Sequence, residues 1–271
     1  MDVTILGVGS AGSQFAHACA SGGLSVTVCE TDANAVLDTV DSLSAAEADG
    51  TTDTRSAVEN ADVVVETRSD GDVERTRERL ADVEDWAPED ALLAVVVSTT
   101  TVTTLSVALR EPERLIGFHS SGPLDIASPI EVVTADGTDE RAVATAIEFV
   151  ERLGWRPLHV RDGHGFVADR LRLALQAEAI RLYEQGVADP ATIDATMTIA
   201  DGHEIGPLEL ADRQGLDAVL AALERLAAEV GPRYDPPPAL VEKVEAGQLG
   251  RGRGQGFYTW EDSQPTTSSD G

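Results

Sequence analysis

A glycine-rich turn near the start of the chain constrains the fold more than any other feature. Gly7, Gly9 and Gly12 follow the spacing G-x-G-x-x-G, directly after the apolar segment VTILGV (3–8) and before an Ala-rich segment with helical character. In such a turn Gly7 permits a tight bend, Gly9 lets a phosphate approach the backbone, and Gly12 lets helix and strand pack closely. A glycine turn can also lack a ligand, but the strand–turn–helix context predicts dinucleotide binding, with the phosphates at the helix N-terminus.

A carboxylate at the end of the second predicted strand indicates which dinucleotide is bound. Glu30 closes the segment SVTVCE, residues 25–30. At that position a carboxylate accepts hydrogen bonds from the adenosine ribose and repels a 2′-phosphate. No arginine follows Glu30 closely in the sequence to meet such a phosphate. We therefore expect NAD rather than NADP.

Apolar and helical segments alternate through the first half of the chain. The predicted strands are rich in Val, Ile and Leu and comprise residues 3–8, 25–30, 61–67, 91–99, 115–120, 130–135 and 155–160. Helical patterns occupy the Ala-rich segment after the glycine turn and residues 55–59, 70–86 and 139–153. Continuous apolar strands separated by helices predict a parallel sheet covered on both faces. The fold class is therefore α/β, with a Rossmann-type sheet domain first.

The pattern changes at Asp162-Gly163-His164-Gly165. Beyond this point the sequence is helical, with predicted helices over residues 166–186, 190–200, 207–230 and 238–246. We expect an NAD-binding domain over residues 1–163 and an all-α domain over residues 164–260. The polar, turn-rich residues 261–271 are expected to form a disordered tail.

The charge balance limits the partners of the chain. It has 48 acidic and 20 basic residues, a formal net charge of −28, and Lys243 as its only lysine. Such a surface suits a cytoplasm at high salt, where repulsion between carboxylates is screened. We interpret the composition as halophilic. Nucleic acid is excluded as a partner, because neutralising its phosphates requires clustered Lys and Arg.

The remaining composition predicts a cytoplasmic protein without membrane or metal. The N-terminus enters a strand without a basic leader, and no apolar run approaches the length of a membrane span. The five histidines show no metal-ligand spacing. Cys19 and Cys29 lie in apolar segments, so we expect free thiols in a reducing compartment.

A histidine ends one of the predicted strands in the middle of the chain. In RLIGFHSSGPLDIASPIEVV, residues 114–133, His119 ends one apolar segment and Glu131 lies in the next. Sheets of this class bind ligands beyond the carboxyl ends of their strands, and a returning strand would bring the carboxylate against the imidazole. Such a pair suits oxidation of an alcohol, with the imidazole taking the hydroxyl proton. The alternative is a buried histidine in an ordinary strand connection.

Several motifs occur together in a fixed order. They are GVGSAGSQFA (7–16), ADVVVET (61–67), IGFHSSGP (116–123), IEVV (130–133), GFVADRL (165–171), EAIRLYEQGVA (178–188), GPLELADRQGLD (206–217) and GRGRGQGFYTW (250–260). From Val3 to about Trp260 the chain resembles the 3-hydroxyacyl-CoA dehydrogenase family. The glycine turn alone is widely shared, whereas the combination with the last two motifs is specific.

The resemblance implies a fold, a reaction and roles for named residues. It implies a Rossmann-type NAD domain, a helical domain that forms a homodimer, and an acyl-CoA substrate bound between the two. It also implies that His119 is the general base and Glu131 its partner. Glu66 is then expected near the nicotinamide side of the cofactor. Thr101 keeps a hydroxyl where the family has a serine that contacts the substrate oxygen.

The chain departs from the family at the substrate positions. Thr99-Thr100-Thr101-Val102 stands where the family usually reads Asn-Thr-Ser-Ser, and Gly122 and Asp169 each replace an asparagine. Ser120 and Ser121 replace two aromatic residues, and His164 a common proline. Loss of an amide removes a hydrogen-bond donor that would stabilise negative charge on the thioester oxygen. An ionised Asp169 would repel that negative charge.

Three functions stay open at this point. The first is an NAD-dependent 3-hydroxyacyl-CoA dehydrogenase. The second is a related enzyme for another 3-hydroxy acid, such as a sugar acid or a carnitine-like substrate, which a more polar pocket would suit. The third is a catalytically weak paralogue that binds NAD.

Overall fold

The computed structural model describes residues 1–271 except 44–47, 69–70, 123, 125–126, 262–263 and 267–271. The chain divides into two compact units, Met1–Phe166 and Val167–Gly271. The division lies three residues beyond the predicted boundary at residue 163. Among the described residues, no helix has both the length and the apolar character needed to cross a lipid bilayer.

The first unit is built on one sheet. Its strands are β1 (Asp2–Leu6), β2 (Ser25–Cys29), β3 (Ala48–Thr51), β4 (Val63–Glu66), β5 (Leu92–Val96), β6 (Leu115–His119), β7 (Pro129–Thr134) and β8 (Arg156–Arg161). They lie in the order β3-β2-β1-β4-β5-β6-β7-β8. The order reverses beside β1, and sheets of this class bind ligands at such a point, outside the carboxyl ends of the strands.

The prediction of a parallel sheet covered on both faces is wrong for the last two strands. β7 pairs with β6 in the antiparallel direction, and β8 is parallel to β7. The reason is the short connection over residues 120–128, because a parallel crossover needs a dozen or more residues and usually a helix. Most of β8 is exposed or only partly buried, as expected for an edge strand.

Helices cover both faces of this sheet. They are α1 (Ser10–Ser21), α2 (Ala33–Ser42), α3 (Thr54–Val58), α4 (Val73–Trp86), α5 (Val102–Ser106) and α6 (Glu140–Arg152). Val63 and Val65 pack on the side of α1 and α6, whereas Val64 packs on the side of α3, α4 and α5. This alternation follows from the two-residue period of a strand. Phe15 and Phe118 stack with ring centroids 5.8 Å apart, which anchors α1 on the sheet.

The second unit is helical apart from a terminal hairpin. Its elements are α7 (Ala168–Glu184), α8 (Pro190–Ala200), α9 (Pro207–Gln214), α10 (Leu216–Val230), α11 (Pro238–Glu245), β9 (Thr259–Glu261) and β10 (Gln264–Thr266). The single helix predicted over 207–230 is therefore wrong. Gly215, with φ at +96°, separates α9 from α10, because a residue without a Cβ adopts this conformation without strain.

The predicted disordered tail, residues 261–271, differs in part from the structure. β9 ends at Glu261 and pairs in the antiparallel direction with β10. The remaining tail residues, 262–263 and 267–271, lie outside the described residues.

A buried carboxylate organises the end of the second unit. Asp212 accepts hydrogen bonds from the backbone N–H of Phe257 and Tyr258 and from Trp260 Nε1, each at 2.9 Å. Side chains at Gly250 or Gly256 would collide with Asp212, so both glycines are needed for this close approach. Burial raises the pKa of Asp212 and outweighs the hydrogen bonds, which lower it. These partners all belong to the second unit.

Candidate active site

The three glycines of the turn have three different environments. Gly7 adopts φ of +103° at the end of β1, and its N–H donates to the Cys29 carbonyl oxygen at 2.8 Å. A Cβ on Gly12 would lie 2.0 Å from the Gly7 carbonyl oxygen, so only glycine lets α1 pack here. A Cβ on Gly9 would meet no described atom within 4 Å. Gly9 therefore faces open space, as the approach of a phosphate requires.

The N-terminus of α1 completes this loop. Gly9 is the N-cap residue, and no side chain caps the helix. The first N–H groups of a helix lack intrahelical partners and favour an anion. The loop therefore fits the pyrophosphate of a dinucleotide.

Glu30 lies beside the loop because β2 is the neighbour of β1. Its carboxylate follows the last residue of β2 and accepts hydrogen bonds from the Thr31 N–H at 2.7 Å and the Thr31 hydroxyl at 3.1 Å. These contacts hold one carboxylate oxygen at the carboxyl edge of the sheet. The position suits the predicted contact with an adenosine ribose.

Glu66, at the end of β4, is already engaged by arginines. Its carboxylate is 1% exposed and accepts hydrogen bonds from the Arg68 side chain at 2.6–3.2 Å and from the Arg68 N–H at 2.8 Å. Arg79 Nε lies 3.4 Å from the same carboxylate. Glu66 therefore anchors Arg68 at the cofactor edge, a partner that the sequence prediction did not consider.

His119 and Glu131 are directly opposite in the antiparallel pairing of β6 with β7. His119 Nδ1 lies 2.7 Å from Glu131 Oε2, and each residue is 3% exposed. An ionised carboxylate only accepts hydrogen bonds, so Nδ1 carries the proton and Nε2 is left as an acceptor. The Phe166 ring packs against the imidazole with centroids 4.8 Å apart. The two residues therefore have the geometry of a base with its orienting carboxylate.

A cavity joins the glycine loop to His119. Its volume is about 360 Å³, and its walls come from the first turns of α1 and from the ends of β5 and β6. Polar or small lining residues are Ser10, Gln14, Ser98, His119, Ser120 and Gly122. Ser98 and Gln14 were not predicted, because a serine after a strand and a glutamine in a helix carry no distinctive sequence pattern. The cavity brings His119 and the glycine loop into one space.

The predicted substrate residues have different surroundings. The Thr101 hydroxyl caps α5, where it accepts from the Thr104 N–H at 3.1 Å and lies 2.7 Å from the Thr104 hydroxyl. Thr101 is not among the residues that line the cavity, whereas Gly122 is. Asp169, in the first turn of α7, pairs with Arg172 at 2.6 Å. The arginine offsets the negative charge that the sequence predicted to be unfavourable for an oxyanion.

The described residues offer no evident set of ligands for a metal ion. In the part of the chain that the structure describes, no three His, Cys, Asp or Glu side chains are grouped to hold a metal ion. The polar groups of the site are instead a histidine, its carboxylate, the Gln14 amide and the hydroxyls of three serines.

The family models match most of the chain. The 3-hydroxyacyl-CoA dehydrogenase NAD-binding domain matches residues 39–163, and the C-terminal domain of the same family matches residues 165–260. The first match begins beyond the glycine turn, so the turn is an independent observation.

Individual proteins give the same result. A probable 3-hydroxybutyryl-CoA dehydrogenase of Bacillus subtilis is 34% identical over 205 residues, which cover 75% of this chain and 71% of that protein. A protein of the same description in Deinococcus radiodurans is 37% identical, with 63% of this chain and 62% of that protein covered. The crystal structure of (S)-3-hydroxybutyryl-CoA dehydrogenase from Ralstonia eutropha superposes with a TM-score of 0.89 at 28% identity, covering 96% of this chain and 99% of that one. The chain belongs to the 3-hydroxyacyl-CoA dehydrogenase family, whose members are NAD-dependent oxidoreductases.

Proposed function

We propose that the protein interconverts a 3-hydroxyacyl-CoA and the 3-ketoacyl-CoA, with His119 as the general base. The observation that carries the proposal is the 2.7 Å contact between His119 Nδ1 and Glu131 at one end of a cavity that reaches the glycine loop. The family supports NAD as the cofactor. When bound, NAD supplies the acceptor for the hydride that leaves the substrate carbon.

The residues of this chain have separable tasks in the proposed mechanism. His119 Nε2 accepts the hydroxyl proton of the substrate, and the Glu131 carboxylate stabilises the imidazolium that forms. The main-chain N–H groups at the start of α1 and the Glu30 carboxylate hold the cofactor. Burial of the pair excludes water from the base. In the reverse direction the imidazolium returns its proton to the ketone oxygen.

The assay is NADH-coupled reduction of acetoacetyl-CoA at molar KCl. His119→Gln is expected to reduce turnover about 10²–10⁴-fold, the usual range for a general base, with little change in NADH affinity. Glu131→Gln should reduce turnover less, because the imidazole stays but loses the charge that stabilises its protonated form. If neither substitution lowers turnover on a substrate that the native protein converts, His119 is part of an ordinary strand connection.

One part of the cavity wall favours a second substrate class. Ser120 and Gly122 line the cavity beside His119, where the family resemblance predicted an aromatic and an amide group. A dehydrogenase of a free 3-hydroxy acid, such as a sugar acid or a carnitine-like compound, is therefore the alternative. Activity on such acids without activity on acetoacetyl-CoA would favour it. NADH binding without turnover of either class would favour a catalytically weak paralogue.

We also propose that the protein is a cytoplasmic homodimer formed through its second unit. Among the described residues of this unit, four large apolar side chains are exposed, namely Val167 at 50%, Leu171 at 68%, Val187 at 64% and Ile199 at 84%. Apolar side chains of this size are usually covered at an interface when they lie in a contiguous patch. Light scattering after gel filtration in molar KCl tests the dimer, and a monomer mass would contradict it.

A further inference from the structure

An arginine that plays no part in the proposed reaction lies over the glycine loop. Arg68 follows the end of β4, and a Cβ on Gly7 would lie 2.7 Å from Arg68 Cγ. The Arg68 side chain therefore packs directly against Gly7. It is 19% exposed, so part of it faces the carboxyl edge of the sheet.

The orientation of the Arg68 guanidinium is fixed before any ligand binds. Arg68 Nε donates to Glu66 Oε1 at 3.0 Å, and Nη2 donates to Oε2 at 2.6 Å. A carboxylate bound in this two-point manner lies in the guanidinium plane and leaves the flat faces uncovered by the pair. The backbone is held as well, because Arg79 Nη2 donates to the Arg68 carbonyl oxygen at 2.7 Å.

The charge of Arg68 is largely balanced within the protein. Burial disfavours its charged form, but the hydrogen bond and charge of Glu66 and the charge of Glu30 outweigh burial and raise the pKa of Arg68. The carboxylates of Glu30 and Glu66 lie at the ends of β2 and β4, the two strands that flank β1. With its charge met by Glu66 in a two-point pair, what Arg68 offers to a ligand is a flat face rather than a net charge.

We propose that Arg68 binds the adenine ring of the dinucleotide, by packing its guanidinium face against the base while Glu30 holds the adjoining ribose. The inference rests on the proposed function, because it requires a dinucleotide at the Gly7–Gly12 loop. It also replaces the position near the nicotinamide that the family resemblance implied for Glu66, because Glu66 is in direct contact with Arg68. The N-terminus of α1 already serves the pyrophosphate, and the base lies on the far side of the ribose from the phosphates. Guanidinium groups pack well on aromatic rings, both electrostatically and by stacking.

Two substitutions separate the planar face from the charge. Arg68→Met removes both, whereas Arg68→Lys keeps the charge and a partner for Glu66. Both variants are expected to weaken binding of NADH and of AMP about tenfold, because both lack the planar group. Binding of nicotinamide mononucleotide, which has no adenine, should stay unchanged. Titration calorimetry at molar KCl measures the three affinities without any need for turnover.

Arg114→Met is the matched control. Arg114 is 13% exposed and pairs with Glu111 at 2.9 Å, but it precedes β6 and therefore lies at the amino edge of the sheet. Its removal should not change the affinity for AMP. Thermal melts without ligand identify a variant that fails to fold, and Arg68→Lys then carries the test because it leaves Glu66 paired.

The outcomes distinguish this inference from the proposed function. If wild-type protein binds NADH and both Arg68 variants bind AMP as tightly, the adenine contact is wrong and the proposed function stands. If Arg68→Lys alone keeps wild-type affinity for AMP, the contact depends on charge, and the assignment to the guanidinium face is overturned. A wild-type protein that binds neither NADH nor AMP contradicts the proposed function itself.

Discussion

His119 and Glu131 contact each other because two strands place them side by side. They are register partners in β6 and β7, and both are buried. Their relative position therefore depends on backbone hydrogen bonds across the sheet rather than on a flexible loop. A buried imidazole held in this way keeps its tautomer, which a base needs in every turnover.

Gly122→Asn tests whether the cavity still accepts a thioester. A Cβ on Gly122 would meet no described atom within 4 Å, so there is room to start a side chain. A restored amide can donate to charge on the substrate oxygen, and one such donor is worth up to about 10²–10³-fold in turnover. We expect activity on acetoacetyl-CoA to rise about tenfold or more.

Gly122→Leu is the control for that experiment, since it adds similar volume without a donor. It should leave activity unchanged or lower it. An equal rise in both variants would show that filling space, and not the amide, is responsible.

Glu30→Ala tests the preference for NAD. Loss of a charged acceptor for the ribose hydroxyls should weaken NAD binding about tenfold or more. The difference in affinity between NAD and NADP should become smaller, because the carboxylate that repels a 2′-phosphate is gone. Calorimetric titration with both nucleotides measures this, with Glu59→Ala, an exposed acid after α3, as the control. Tight binding of NADP to the unmodified protein would contradict the role of Glu30.

At the scale of elements, the Asp212 cluster links the α9 helix to the C-terminal hairpin. Oδ1 accepts from the Phe257 N–H, and Oδ2 accepts from the Tyr258 N–H and Trp260 Nε1. Asp212→Asn replaces one acceptor with an NH₂ group that faces donors. We expect a loss of about 2 kcal/mol in the free energy of unfolding, measured by denaturant titration.

The difference in stability between wild type and Asp212→Asn should also depend on pH, in a direction that the pKa of Asp212 determines. The raised pKa of Asp212 means that its contribution to stability is fully present below the unfolded value, about 3.9, and is lost as pH rises through the folded value. Asn does not titrate. The stability advantage of wild type over Asp212→Asn should therefore shrink as pH rises from about 4. An advantage that grows with pH would mean that the pKa of Asp212 is lowered in the folded state.

Sequence patterns predicted most elements because their signals are local. β4 and β6 are buried along their whole length, and each was evident as an unbroken apolar run. β3 was missed because ADGT has neither apolar character nor alternation. The break at Gly215 was missed because a single glycine within an amphipathic pattern indicates a bend only weakly.

The site was predictable only where its members have a sequence pattern. The glycine turn and the His119–Glu131 pair have such a pattern, since the spacing of the glycines and the ends of the predicted strands indicate their positions. Arg68 has no such pattern, because its contact with Gly7 results from the pairing of β1 with β4 in the sheet. The role of Thr101 as the cap of α5 depends on a five-residue helix too short to predict.

For the whole molecule, the dominant property is the net charge of −28. At low ionic strength the repulsion among surface carboxylates opposes the compact state. In molar salt the Debye length falls to about 3 Å, and the repulsion is screened. We expect the melting temperature to rise steeply with KCl.

Sucrose is the comparison that isolates screening, because it favours compact states without adding ions. KCl should stabilise the protein far more than sucrose does. A melting temperature that is unchanged between dilute buffer and molar KCl would contradict the halophilic interpretation.

The antiparallel pairing of β6 with β7 also has an evolutionary consequence. Residues 120–128 connect two strands whose register already fixes His119 and Glu131. Substitutions in this connection alter the cavity wall at Ser120 and Gly122, whereas the strand pairing holds His119 and Glu131. Evolution can therefore alter substrate preference through this connection while the contact between His119 and Glu131 is kept.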